Sequence, residues 1–140
     1  MTDKLRTVLF DLDGTLVDTA PDLALALNLL REEMGRRPLP FERIRPQVSH
    51  GGTALIRLGF DRQPGEAEFD PLRQRFLELY QQNLTTHTRL FPGMEQLLNT
   101  LEQSNIAWGV VTNKPGWLTK PLMQQLQLEQ RAGCVVSGDT

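Results

Sequence analysis

Cysteine is nearly absent. Cys134 stands alone in 140 residues, so the chain can close no internal disulfide and carries no cysteine cluster of the kind that binds zinc. Neither sign of charge is in excess: 15 basic residues face 17 acidic ones, a net charge of −2. That balance supplies neither the basic surface of a nucleic-acid binder nor a polybasic membrane anchor. No apolar run approaches the length of a membrane span, and the N-terminus reaches Asp11 without the apolar core and cleavage site of a signal peptide. Internal repeats and low-complexity segments are lacking too. These absences predict a protein of a reducing cytoplasm whose partner is a small molecule rather than nucleic acid or membrane. With 39% hydrophobic and 23% charged residues, the chain has the balance of a globular protein able to bury one moderate core.

What is present begins with a strand. Thr7-Val8-Leu9-Phe10 is a short apolar run with β-branched and aromatic content, ended by the turn-forming Asp11-Leu12-Asp13-Gly14, and reads as a buried strand of parallel type. Thr19, followed three residues later by Asp22, resembles a capping pair. Pro21 suits a first turn, and Leu23, Leu27, Leu30 and Met34 recur at helical spacing, which predicts a helix over 21–34. Gly35, Pro38 and Pro40 break it before a short helical stretch over 41–47. Ser49-His50-Gly51-Gly52 reads as a loop opening a helix that continues through Ile56 and Leu58. Phe69, Leu72, Phe76, Leu79, Tyr80 and Leu84 share one stripe of a further helix, and these aromatics, with Trp108, read as core. Residues 85–92 read as a return linker. A helix around Met94 to Leu101, a strand over 106–111, a helix over 117–128 and a very short strand over 134–136 complete the chain.

This order argues for an α/β protein: a parallel, Rossmann-like core interrupted by an inserted helical domain. Residues 1–16 and 87–140 are assigned to the core and 17–86 to the insert. Three strands cover both faces of a doubly wound sheet poorly, so the core is expected to be incomplete at its C-terminal end and prone to self-association through the sheet.

Asp11 and Asp13 follow the first strand directly, at the end of the sheet where open α/β folds bind ligands. Such a carboxylate pair suits magnesium, which takes hard oxygen ligands and commonly also holds substrate phosphate. Asp11 has the chemistry to attack phosphorus, and Asp13 to protonate the leaving oxygen and later activate water. Gly14 lets the backbone turn close to a phosphate, and Thr15 adds a hydroxyl or amide donor. By composition alone, Asp-x-Asp-Gly is equally an ordinary turn. The run Val110-Val111-Thr112-Asn113-Lys114-Pro115 ends a second strand in a hydroxyl, an amide and a cation just before a helix, groups able to hold phosphate oxygens and neutralise substrate charge. Thr112 taken singly is equally a strand-end hydroxyl satisfied by backbone. His50, in the insert, is by residue type more often a surface or packed side chain than a catalyst, and His87 and Arg89 have weaker claims.

The run from Val8 to Thr19 resembles the first signature of haloacid dehalogenase-type phosphatases, and Val110 to Pro115 resembles the second. Leu90-Phe91-Pro92-Gly93-Met94 and the stretch Trp108 to Pro115 are similar to the phosphoglycolate phosphatase-like branch with a helical cap, which includes enzymes for 2-phosphoglycolate and N-acetylmuramic acid 6-phosphate. The resemblance implies Asp11 as nucleophile and Asp13 as general acid and base. It also implies Mg2+ held by Asp11 and the Asp13 main-chain carbonyl, Thr112 on the transferring phosphoryl group with Asn113 beside it, and a cap loop of His50, Gly51 and Gly52 closing over substrate. The implied activity is hydrolysis of a small phosphomonoester through an aspartyl phosphate. A phosphomutase with the same nucleophile and a non-catalytic fragment are the alternatives. The family's later lysine and acidic pair have no counterpart; Ser137-Gly138-Asp139 comes too early for that pair, so Asp139 reads as a loop residue. The 140-residue chain is therefore expected to bind magnesium weakly and to turn over slowly.

Overall fold

In the computed structural model, which describes residues 5–140, the elements in chain order are β1 (Thr7–Phe10), β2 (Val17–Asp18), α1 (Ala20–Glu33), α2 (Phe41–Ile44), a 3-10 turn (Arg45–His50), α3 (Gly51–Phe60), α4 (Phe69–Gln82), β3 (Arg89–Leu90), α5 (Met94–Gln103), β4 (Ala107–Val111), α6 (Gly116–Gln125) and β5 (Val135–Val136). They fall into two units: the chain up to Asp18 together with Arg89–Thr140, and Thr19–Thr88. None of the helices described is long and apolar enough to cross a membrane.

The first unit is built on a parallel sheet of order β1-β4-β5, with Phe10 opposite Val110 and Val110 opposite Val135. Parallel partners in register point to the same side, so Val8, Phe10, Trp108 and Val110 share one face. Phe10, Trp108 and Val110 are buried there, and the Phe10 and Trp108 rings meet edge to face at 6.2 Å. The Trp108 indole N–H donates to Glu102 Oε2 at 3.0 Å, and Arg131 donates to Glu102 and Glu95, fastening α5 to the segment before β5. The Arg131 guanidinium, and then the indole N–H, hold the Glu102 carboxyl below the usual carboxylate range. Both crossovers step the same way across the sheet, so right-handed connections place α5 and α6 on one face. The other face carries Thr7, Leu9, Ala107, Val111 and Val136, all exposed, Leu9 at 56%. The first strand is thus buried on one side only.

Two-residue strands β2 and β3 pair antiparallel, Val17 opposite Leu90 and Asp18 opposite Arg89, forming a ribbon where the chain leaves and re-enters this unit. The helix expected over 21–34 follows the ribbon directly and spans Ala20–Glu33.

In the helical unit, α1 buries Ala24, Ala26, Leu27 and Leu30, α3 buries Leu55, Ile56 and Phe60, and α4 buries Phe69, Leu72, Phe76, Leu79 and Tyr80. The short helix expected over 41–47 stops at Ile44 and tightens into the 3-10 turn, in keeping with Pro46, which lacks the amide an α-turn uses. The capping pair is not formed either: Thr19 makes no side-chain cap bond. Asp22 is instead fully buried, and its carboxylate accepts hydrogen bonds from the amides of His87 and Thr88 and from the Thr88 hydroxyl.

Candidate active site

The parallel strands end at one edge of the sheet, and three loops leave from there: 11–16 after β1, 112–115 after β4 and 137–140 after β5. Asp11 is exposed, and one of its carboxylate oxygens accepts the Leu12 amide at 2.8 Å. Leu12 and Leu16 are fully buried and anchor the loop, which doubles back so that the Leu16 and Val17 amides both reach the Leu12 carbonyl at 3.1 Å. The Gly14 amide donates to the Val17 carbonyl at 2.9 Å, and Gly14 turns with φ of 79°, a left-handed conformation that disfavours any side chain. Thr15 is exposed on this turn.

After β4, Thr112 is 6% exposed; its amide donates to the Val136 carbonyl, and its hydroxyl oxygen accepts the Lys114 amide at 3.2 Å. This bond bends the chain so that Lys114 turns back toward the first loop. The Lys114 ammonium donates to Asp13 Oδ1 at 2.8 Å, from a side chain only 8% exposed. Two loops 101 positions apart in sequence are thereby joined by a charge-assisted bond. Asn113 is exposed beside it. Asp11, Asp13, Thr15, Thr112, Asn113 and Lys114 thus all lie on the loops of this one sheet edge, whereas His50, Gly51 and Gly52 belong to the helical unit, where His50 is exposed at the N-terminus of α3.

The third loop, which the sequence marks only as a loop, packs against the second. Its Gly138 amide donates to the Lys114 carbonyl at 2.9 Å, and a Cβ at Gly138 would lie 2.2 Å from the Asn113 carbonyl oxygen. Two backbones touch here. Gly138→Ala is expected to cost about 1–3 kcal/mol, because backbone rather than a flexible side chain must give way; urea unfolding of the two proteins reads the difference, and a change below ~0.5 kcal/mol would show that the contact is soft.

A set of hard oxygen donors is present for a magnesium ion. Asp11 and Asp13 offer two carboxylates, and Asp13 a main-chain carbonyl. Magnesium is commonly held by one or two carboxylates with its remaining positions left to water and phosphate, so the donors fit in kind. Among the described residues no group of three His, Cys, Asp or Glu side chains converges.

A family model described as haloacid dehalogenase-like hydrolase matches residues 8–140. An N-acetylmuramic acid 6-phosphate phosphatase of Pseudomonas putida is 42% identical over 136 residues, 97% of this chain and 61% of its own length. A phosphoglycolate phosphatase of Xanthomonas campestris is 40% identical, with 96% of this chain and 61% of its own length covered. A crystal structure from Haemophilus somnus, described as a predicted phosphoglycolate phosphatase, superposes with a TM-score of 0.81 at 26% identity, over 96% of this chain and 63% of that one. The chain spans about three fifths of the length of these relatives.

Proposed function

Since the chain belongs to the haloacid dehalogenase-like hydrolase family, we propose that it supplies the nucleophile and the phosphate-binding loops of a magnesium-dependent phosphatase acting on a small phosphomonoester. The observation that carries this reading is the Lys114–Asp13 bond, which draws the loop after β4 onto the acidic loop after β1 at the carboxyl edge of the sheet. A cation so placed meets an incoming phosphoryl group beside the carboxylates that act on it. The relatives' names favour 2-phosphoglycolate or a sugar phosphate such as N-acetylmuramic acid 6-phosphate as substrate.

In this mechanism an Asp11 carboxylate oxygen forms a bond to phosphorus as the ester P–O bond breaks, and Asp13 gives its proton to the leaving alcohol. Water then attacks the aspartyl phosphate. Asp13 takes the proton from that water, phosphate leaves, and Asp11 returns to its carboxylate. The Thr112 hydroxyl and nearby backbone amides hold phosphoryl oxygens, while Lys114 offsets their charge. Magnesium at Asp11 and the Asp13 carbonyl would neutralise charge on the transferring group. The helical unit is assigned the choice of substrate, with His50, Gly51 and Gly52 as its contribution.

A panel of 2-phosphoglycolate, N-acetylmuramic acid 6-phosphate and p-nitrophenyl phosphate tests this. Activity is expected to vanish with EDTA and return with magnesium. Lys114→Ala is expected to lose roughly a hundredfold in kcat/KM on every substrate, as loss of a preorganised charge contact does, and His50→Ala to alter the ranking among substrates. Metal-independent turnover, or Lys114→Ala at wild-type rates, would remove the reading.

A further inference from the structure

The loop that carries Lys114 is held from β5. Its own helix, α6, starts at Gly116 after Pro115, which stands at the N-cap without an acceptor side chain to give. The first amide of such a helix is left without an intrahelical partner. Here the Gly116 amide donates to Asp139 Oδ1 at 2.9 Å, from a residue 23 positions further on. The Ser137 hydroxyl donates to the same oxygen at 3.0 Å and so fixes the carboxylate's orientation. With the Thr112 amide on the Val136 carbonyl and the Gly138 amide on the Lys114 carbonyl, three bonds stitch residues 112–116 to residues 136–139. The negative charge of Asp139 also meets the positive end of the α6 dipole. The two hydrogen bonds, from Gly116 first and then Ser137, hold its carboxyl below the usual range.

We propose that Asp139 is a positioning residue: by capping α6 from outside, it sets the loop from which Lys114 reaches Asp13, and so places the cation for phosphoryl transfer, a role that rests on the phosphatase reading above. Asp139 touches neither Lys114 nor Asp13 in the bonds just described. It acts on the backbone that aims the lysine. Losing the Gly116 anchor leaves the loop held by its other two bonds, free to shift by a fraction of the distance that matters for a charge facing a phosphoryl group.

The experiment uses Asp139→Ala and Asp139→Asn in the full chain, each alone and combined with Lys114→Ala. Asp139→Ala is expected to lower kcat/KM for p-nitrophenyl phosphate roughly tenfold or more. Asp139→Asn, whose amide oxygen still accepts from Gly116, should stay within about threefold of wild type. In the Lys114→Ala background, Asp139→Ala should cost less than about twofold, because the cation it positions is gone. Losses that multiply in the double variant, or a silent Asp139→Ala, overturn the proposal. Amide NMR of the same variants reads the loop without reference to turnover. Displaced Asn113–Gly116 signals with faster Gly116 exchange in Asp139→Ala support the clamp, and unchanged signals overturn it. Should turnover prove independent of Asp11 while those signals move, the phosphatase reading fails and the clamp stands.

Discussion

Asp11→Asn is expected to abolish phosphomonoester hydrolysis, lowering kcat by at least about a thousandfold, on the scale seen when a nucleophile is removed. Asp11 leaves the end of β1 exposed, with the Leu12 amide on one carboxylate oxygen. Asparagine keeps the size and the oxygen that accepts that amide, so the fold should be undisturbed. What it loses is the anionic oxygen that attacks phosphorus in the proposed mechanism, together with a proposed metal donor. The same substitution at Asp13 should behave differently: the nucleophile remains, so a phosphorylated protein can still form while its release slows. Turnover by Asp11→Asn within about threefold of wild type would sink the assignment of the nucleophile.

Asp22→Ala has the largest expected effect on stability. Its fully buried carboxylate sits in the first turn of α1, where the helix dipole favours a negative charge, and accepts the His87 amide at 2.9 Å, the Thr88 amide at 2.8 Å and the Thr88 hydroxyl at 2.7 Å. Those bonds offset the desolvation of a buried charge and tie the first turn of the helical unit to its last residues. Alanine removes the carboxylate that accepts the His87 and Thr88 amides and the Thr88 hydroxyl, so the expected loss is about 3 kcal/mol, read from the urea midpoint of the far-ultraviolet CD. Asp22→Asn should fall between, since it retains one oxygen but turns an NH2 toward donors. An Asp22→Ala protein that unfolds within ~0.5 kcal/mol of wild type would show that the bonds are dispensable.

The strands that lead to the candidate site are legible in the sequence because their signals are local. Thr7 to Phe10 and Ala107 to Val111 are apolar runs that stop at polar residues, and parallel pairing brings the loops after both strands to one edge. The α/β class came from the alternation of such runs with helical stripes. The features that escaped the sequence were set by long-range pairing. Asp22 reads as a helix-capping partner of Thr19, yet the bonds its carboxylate accepts come from residues 65 and 66 positions away. Asp139 reads as a loop residue, because nothing near it in sequence announces that Gly116 needs an acceptor. Strands β2 and β3 span two residues each, too few for any periodicity to show. The exposed face of the sheet, with Leu9, Val111 and Val136, likewise depends on the order of strands rather than on their composition.

In the proposed mechanism phosphoryl passes through Asp11. Rapid quenching of the enzyme with a 32P-labelled phosphomonoester, with borohydride reduction and peptide mapping of the product, tests it most directly. Protein-bound label that is labile to hydroxylamine is expected, with residue 11 recovered as homoserine and no label on Asp11→Asn. Continued magnesium-dependent turnover with no phosphoryl group on Asp11 would contradict it.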